Sequence, residues 1–460
     1  MKGILATILL FVSLAGFCQL PLRLPSVLSD HAVLQQNSEV NLWGWGPGGM
    51  KVAIVCSWNT QDTVWTEVTA ECDWKAVVRT PSESGPHTIR FICEKQQIEI
   101  SDILFGEVWL CSGQSNMEFK TKWDVEAEQS WNNNEIRFFQ VNKSYDRFPQ
   151  TDCEGEWIIC TKEAIAEFSA VGYFFGEMLN KQLSTPVGLI GSYWGGTCIQ
   201  AWMPREAFEK QPNLQKLAQN IDPYGWAPEG ASVLFNSMIF LVSSYKISGV
   251  IWYQGEANVV RGPETYSELF MAMIKEWRTA FSSELPFYYV QIAPCSEYSG
   301  IDAAILREQQ QKTLIISNTG MVSAADLVED VDNIHPRKKR QVGERLANLA
   351  LKEQYGKKDL QPYFPHFDQF TVIGNKAFVS VKSTGNLKCN EPEIANFQLA
   401  GDDRHFYPAT ATLQKDGQIQ LVSPQVKNPV AVRYCFTNTA IPNLFDINGL
   451  PLLPFRTDEW

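Results

Sequence analysis

The chain has 460 residues and a formal net charge of −12, with 45% hydrophobic and 20% charged residues. Such a composition predicts a folded protein of about three domains. The acidic balance and the lack of a long basic run argue against a nucleic-acid partner. Trp (15) and Tyr (14) are numerous; large aromatics fill cores first, but exposed indoles also stack on sugars.

The N-terminus reads as an export signal. Lys2 supplies the positive start, and Ile4 to Phe17 is an apolar run too short to span a membrane comfortably. Cleavage is expected near Cys18–Gln19. LAGFC approaches a lipoprotein box, but Phe17 stands where a small residue is wanted. The expectation is therefore a periplasmic or secreted protein, released rather than lipid-anchored. No later segment is apolar for long enough to insert stably in a membrane. Export permits disulfides among the ten remaining cysteines. Cys153 could pair with Cys160, as could two of Cys56, Cys72 and Cys93. There is no CxxC pair and no Cys/His cluster, so no metal is expected.

Three textures follow. From Leu20 to Ser101, short β-type runs (EVNLWGWG, KVAIVCSW, KAVVRT, HTIRFICE) alternate with turns such as Pro47-Gly48-Gly49 and Ser84-Gly85-Pro86. That pattern predicts an N-terminal β-sandwich over 20–101. From Asp102 to Gly356, apolar strands (FGEVWLC, VGLIGSY, ISGVIWYQ, PFYYVQIA, GMVSAAD) alternate with helical stretches at 163–183, 266–281 and 337–356. Strand–helix alternation predicts a doubly wound, mainly parallel α/β sheet over 102–356. From 357 to 460, β-type runs return (FTVIGNKAFVSVKS, IQLVS, PVAVRYCF).

In such a sheet, ligands collect beyond the carboxyl ends of the strands. Four polar clusters fall there: GQSN after GEVWLC, GSYWGGT after VGLI, QGEAN after GVIWY, and DLVEDVDNIHP after GMVSAA. Ser115 offers a hydroxyl nucleophile, which needs a base. Of five histidines, only His335 lies in the α/β region. Asp332, three residues earlier, has the spacing to fold back onto the imidazole, and Asp326 and Asp330 are further candidates to orient it. A Ser–His dyad is the simpler variant. Pro336 suits the start of the following helix. Donors for an oxyanion are the Ser115 N–H, an N–H of Gly195 or Gly196, and a side-chain amide of Gln254 or Asn258; each is worth about 3 kcal/mol of transition-state stabilisation.

GQSNM, GGT, WYQGEAN and the D-x-x-H-P element, in this order, resemble the sialate O-acetylesterase family of SGNH hydrolases. So do VLSDHAVLQQNSEVNLWGWGPGG, LFNSMI, LREQQ and NLFDINGLPLLPFRTDEW, which extends the resemblance over nearly the whole mature chain. The resemblance implies a flavodoxin-like sheet and hydrolysis of O-acetyl esters on sugars without a cofactor. Carried over by position, it implies Ser115 as nucleophile, His335 as general base, and Ser115, Gly195 or Gly196, and Gln254 as oxyanion donors, with Asn258 as the fallback. Gln114, Asn116 and Glu256 are expected to meet the sugar, and Trp194, in its Gly-rich turn, to stack on it.

Other readings compete. Ser115 could merely cap a helix. Glu118 and Glu256 are the one pair that could serve a glycosidase. Cys111 is expected to be a buried core thiol, and Arg337, Lys338, Lys339 and Arg340 a solvated helix face. The acceptor could be acetylated plant hemicellulose or pectin instead of sialic acid. From another class, the chain could be a non-catalytic carbohydrate-binding protein on a hydrolase scaffold.

Overall fold

A computed structural model describes residues 20–123, 132–219, 227, 228 and 230–460. The export segment expected at 1–18 lies outside the described residues.

The centre is a sheet whose main path runs Thr319–Ser323, Phe287–Gln291, Gly249–Tyr253, Gln96–Gly113, Val187–Tyr193, Asn133–Gln140, Trp157–Cys160. All neighbours on this path pair in parallel except the last two strands. The five strands from Val187–Tyr193 to Thr319–Ser323 follow the flavodoxin-like order. Chain direction across the sheet reverses at Gln96–Gly113, so the loop after that strand opens at a switch point. Ser115 is in this loop.

Alternate residues of a strand point to opposite faces, and the aromatics mark the two layers. Tyr288 stacks on Trp109, which meets Phe175 of the helix Ala170–Leu183 at 5.0 Å. Phe287 instead meets Trp252, which packs on Phe270 and Trp277 of the helix Tyr266–Ala280. Helices therefore cover both faces, as expected. The helix expected over 163–183 is broken into Lys162–Glu167 and Ala170–Leu183, because Ser169 accepts the Gly172 N–H as an N-cap at 3.0 Å. A helix over Asp302–Lys312 was not anticipated. The last helix starts at Lys339 instead of at Pro336.

The strand Gln96–Gly113 explains how the N-terminal region joins the sheet. Its first half alternates in burial and pairs antiparallel with His87–Cys93; its second half is buried throughout. Alternation belongs to a sheet with one wet face, and continuous burial to a strand covered on both. The pairing with His87–Cys93 loses register near Asp102, a left-handed residue at φ 53°. The domain boundary expected between 101 and 102 thus falls inside one strand. A two-stranded ribbon, Glu39–Trp45 with Asp73–Arg79, covers the other side of this N-terminal sheet, Trp74 meeting Phe91 at 5.6 Å. Val40, Leu42, Ile54 and Phe91 share one continuous core with Trp109, Phe175 and Leu346.

The C-terminal region differs. Its two four-stranded sheets, with antiparallel pairing, enclose a separate core that includes Val379, Leu399, Ile419, Leu421 and Val432. It meets the central region through apolar residues such as Phe364 and Leu453, which join the central core, and through polar contacts. Arg456 grips Glu308 with two nitrogens at 2.9 and 3.1 Å, and Gln311 donates to Pro454 O. The ten cysteines of the described residues are all free thiols, so none of the disulfides considered from spacing is present among them.

Candidate active site

Gly113 ends the central strand at φ 139°, and a Cβ there would lie 2.1 Å from Tyr253 O. Only glycine allows that approach. The chain then turns into the short helix Ser115–Glu118, whose first N–H has no intrahelical acceptor. Ser115 is partly exposed at this turn, while Gln114 and Asn116 on either side are buried.

These two neighbours draw the other clusters in. Gln114 Oε1 accepts the Ala257 N–H at 3.1 Å. Asn116 Nδ2 donates to Glu256 Oε1 at 2.5 Å and to Ile334 O at 3.1 Å. The last bond sets the residue after the serine against the residue before His335. The Gly195 turn closes the group from the other side: a Cβ on Gly195 would stand 3.2 Å from Ser115 Cβ. All four clusters predicted to share one sheet edge therefore meet around Ser115.

Several expected roles change. Gln114, Asn116 and Glu256, expected to meet the sugar, are buried and bonded to one another's loops. Gln254 and Asn258 are buried as well. Gln254 Nε2 donates to Thr197 O and to Asn258 Oδ1, and Asn258 Nδ2 donates to Gln200 Oε1. Their amides hold the Gly195–Gly196–Thr197 turn in place; Gln254 commits both of its N–H donors and Asn258 one of its two. The Gly195 N–H is also committed, to Glu118 Oε2 at 2.7 Å. The Ser115 and Gly196 N–H groups have no partner among the described residues.

His335 sits half-buried in the loop before the last helix, its backbone N–H donating to Asn333 Oδ1 at 2.9 Å. No described side chain bonds its ring. Asp332 is exposed and accepts Ser296 Oγ instead; Asp326 is held by a bidentate Arg345, and Asp330 accepts the Asp332 N–H. The triad spacing is present, but the carboxylates bond elsewhere.

Lys339 was missed. Its side chain is fully buried, with Nζ donating to Asn116 Oδ1 at 2.5 Å and lying 4.9 Å from the Phe119 ring and 5.4 Å from the Tyr253 ring. It is not part of a solvated face. The inward positions of its helix, Lys339, Val342, Gly343, Leu346 and Ala350, follow helical spacing, which singles out this one basic residue of the run. Asn116 thus bridges a buried cation and the buried Glu256. Burial raises the Glu256 pKa, against the bond from Asn116 and the charge of Lys339. Burial and then Lys339 lower the His335 pKa, so its imidazole is neutral, a base, at pH 7.

The opening carries Trp194, with Tyr145 edge-on at 6.3 Å and Lys143 Nζ 5.4 Å from the indole. Lys143 also pairs with Glu118 at 2.5 Å. Glu118 is bound on both sides and Glu256 is buried, so the two do not face each other across a cleft as a glycosidase requires. Cys111 is fully buried and its thiol pKa is pushed up, as expected of a core cysteine. Among the described residues no group of His, Cys, Asp and Glu could hold a metal ion, and no helix is long and apolar enough to cross a membrane.

The comparisons give the class: the protein is a carboxylic ester hydrolase. Residues 106–352 match the family described as carbohydrate esterase, sialic acid-specific acetylesterase, and the chain belongs to that family. The sialate O-acetylesterase of Homo sapiens is 27% identical over 94% of this chain and 92% of its own length; that of Rattus norvegicus is 26% identical over 90% and 89%. The crystal structure of a carbohydrate acetylesterase from Xanthomonas citri is similar with a TM-score of 0.87 and 33% identity, covering 96% of this chain and all of that one.

Proposed function

We propose that this chain is an exported serine esterase of SGNH-hydrolase type that removes O-acetyl groups from sugars. Ser115 Oγ attacks the acetyl carbonyl while His335 accepts its proton. The tetrahedral oxyanion is stabilised by the N–H groups of Ser115 and Gly196. His335 returns the proton to the departing sugar oxygen. It then activates a water that cleaves the acetyl-enzyme, releasing acetate and restoring Ser115. No cofactor takes part.

The observation that carries this reading is the bond from Asn116 to Ile334 O, which joins the serine turn to the histidine loop. The same geometry favours a Ser115–His335 dyad over the full triad, with Asp332 bracing the histidine loop through Ser296. The names of the relatives support an O-acetylated sialic acid as substrate; acetylated xylan stands for the plant-polysaccharide alternative. Acetate release from both, by wild type and Ser115→Ala, tests the reading. Release that vanishes in the variant supports it, and the preferred substrate chooses the acceptor. Equal release by the variant would overturn the nucleophile.

A further inference from the structure

A chain of contacts leads from the serine across the surface. Lys143, which binds Glu118 beside Trp194, lines a cavity of about 470 Å³ that also includes Gln150 and Asp152. Asp152 accepts the Ser26 N–H at 2.9 Å and pairs with Arg23 at 3.4 Å; the Arg23 guanidinium lies 4.0 Å over the Trp45 ring. Thr151, the residue before Asp152, lines the next cleft, of about 280 Å³. This cleft lies between the ribbon Glu39–Trp45/Asp73–Arg79 and residues 240–244, and Asn41 fixes its two walls by donating to Ser244 O at 2.9 Å.

The cleft has the chemistry of a sugar site. Trp43 and Trp45 alternate with the buried Leu42 and Gly44, so both indoles stand on the outer face of the ribbon. Across the strand pair they face Lys75 and Asp73. Phe240, 38% exposed, supplies the opposite wall. The negative face of an aromatic ring attracts the weakly positive C–H face of a pyranose, while the neighbouring ammonium and carboxylate bond its hydroxyls. Along the way Lys143 is matched by Glu118 and Arg23 by Asp152, so nothing on this path asks for an anionic polymer.

We propose that this cleft is a second carbohydrate-binding site and that the acceptor is the plant-polysaccharide alternative, a neutral glycan chain, lying from Trp45 past Asp152 and Lys143 to an acetylated unit at Ser115. The proposal rests on the esterase reading above and extends it to the length of the acceptor. It also gives the N-terminal region a part in recognition.

The experiment compares acetate release from acetylated xylan with that from an O-acetylated monosaccharide, for wild type, Trp45→Ala and Phe240→Ala. Expected are a KM for xylan raised about tenfold in each variant, unchanged kcat at saturation, and unchanged kinetics on the monosaccharide. Isothermal titration with unacetylated xylo-oligosaccharides reads the site directly: the wild type binds, and the variants bind about tenfold more weakly. Phe240 is exposed, so its truncation keeps the test open if Trp45→Ala unfolds. An unchanged KM for xylan in both variants, or a loss shared equally by both substrates, overturns the second site and leaves the esterase standing. Absence of acetate release from every substrate by the wild type would instead overturn the esterase reading itself.

Discussion

The two β-rich regions look alike in sequence but join the central sheet in different ways. The N-terminal region is continuous with it: the strand that ends at the serine begins in the N-terminal sheet, and both share one core. The C-terminal region has its own core and reaches the site through a relay of polar contacts. Asn438 donates to the carbonyls of Tyr298, Ser299 and Gly300 and accepts the Ala303 N–H at 3.0 Å. Within the same segment, Ser296 donates its N–H to Val331 O and its hydroxyl to Asp332, at the start of the histidine loop. The serine is therefore held by a buried strand, and the histidine loop by hydrogen bonds.

The sharpest break is on the serine side. Ser115→Ala should lower acetate release by about 10⁴-fold or more while leaving the thermal midpoint within a few degrees of wild type, read by parallel calorimetry. An intact rate would remove Ser115 from the chemistry.

Lys339 joins the two sides, since Asn116 carries its charge to Glu256 and touches the histidine loop. Lys339→Met should cost about 10²-fold in kcat/KM, the scale of a site displaced by a fraction of an ångström to one ångström. The pH profile adds a second reading. In the proposed reaction His335 must be neutral to take the proton, so activity should fall as pH drops through its pKa. Because that pKa is lowered, the wild-type acid limb should lie below 6.5. Removing the Lys339 charge takes away one of the two influences that depress it, so the limb should move up toward 6.5. A limb that stays in place would mean Lys339 acts through packing alone.

On the histidine side the effects should be smaller. Asn438→Ala leaves the buried Ala303 N–H without its partner at a cost of about 2 kcal/mol. It should lower the unfolding midpoint of the C-terminal region and reduce kcat a few-fold. Equal loss of stability in both regions would mean that they unfold as one. Asp332→Asn should cost less than about tenfold, where a working triad aspartate costs about 10⁴; a loss of the larger size would show that Asp332 turns from Ser296 to the imidazole during catalysis.

Much of the site was legible from residue types and order. Ser115 and His335 were singled out because strand ends in a parallel sheet gather ligands, and their clusters do converge. The convergence of QGEAN was also correctly expected, but its residues serve differently. A buried amide and a ligand-facing amide look the same in sequence. Only the packing reveals that Gln254 is consumed by Thr197 and Asn258, and that Glu118, not substrate, takes the Gly195 N–H. Asp332 has the right spacing, yet spacing along a loop does not fix which neighbour the carboxylate meets. Ser296 comes from another part of the chain.

The sequence by itself determined the strand–helix alternation, the serine at the end of the strand and the histidine beyond the last one, because hydrophobic periodicity and turn residues act locally. The tertiary structure decided where the N-terminal region stops being separate, since one strand can satisfy an alternating and a fully buried environment in turn. It also decided that Lys339, one of four adjacent basic residues, is the buried one: a charge tolerates burial only where a distant Asn116 and Glu256 are brought to meet it.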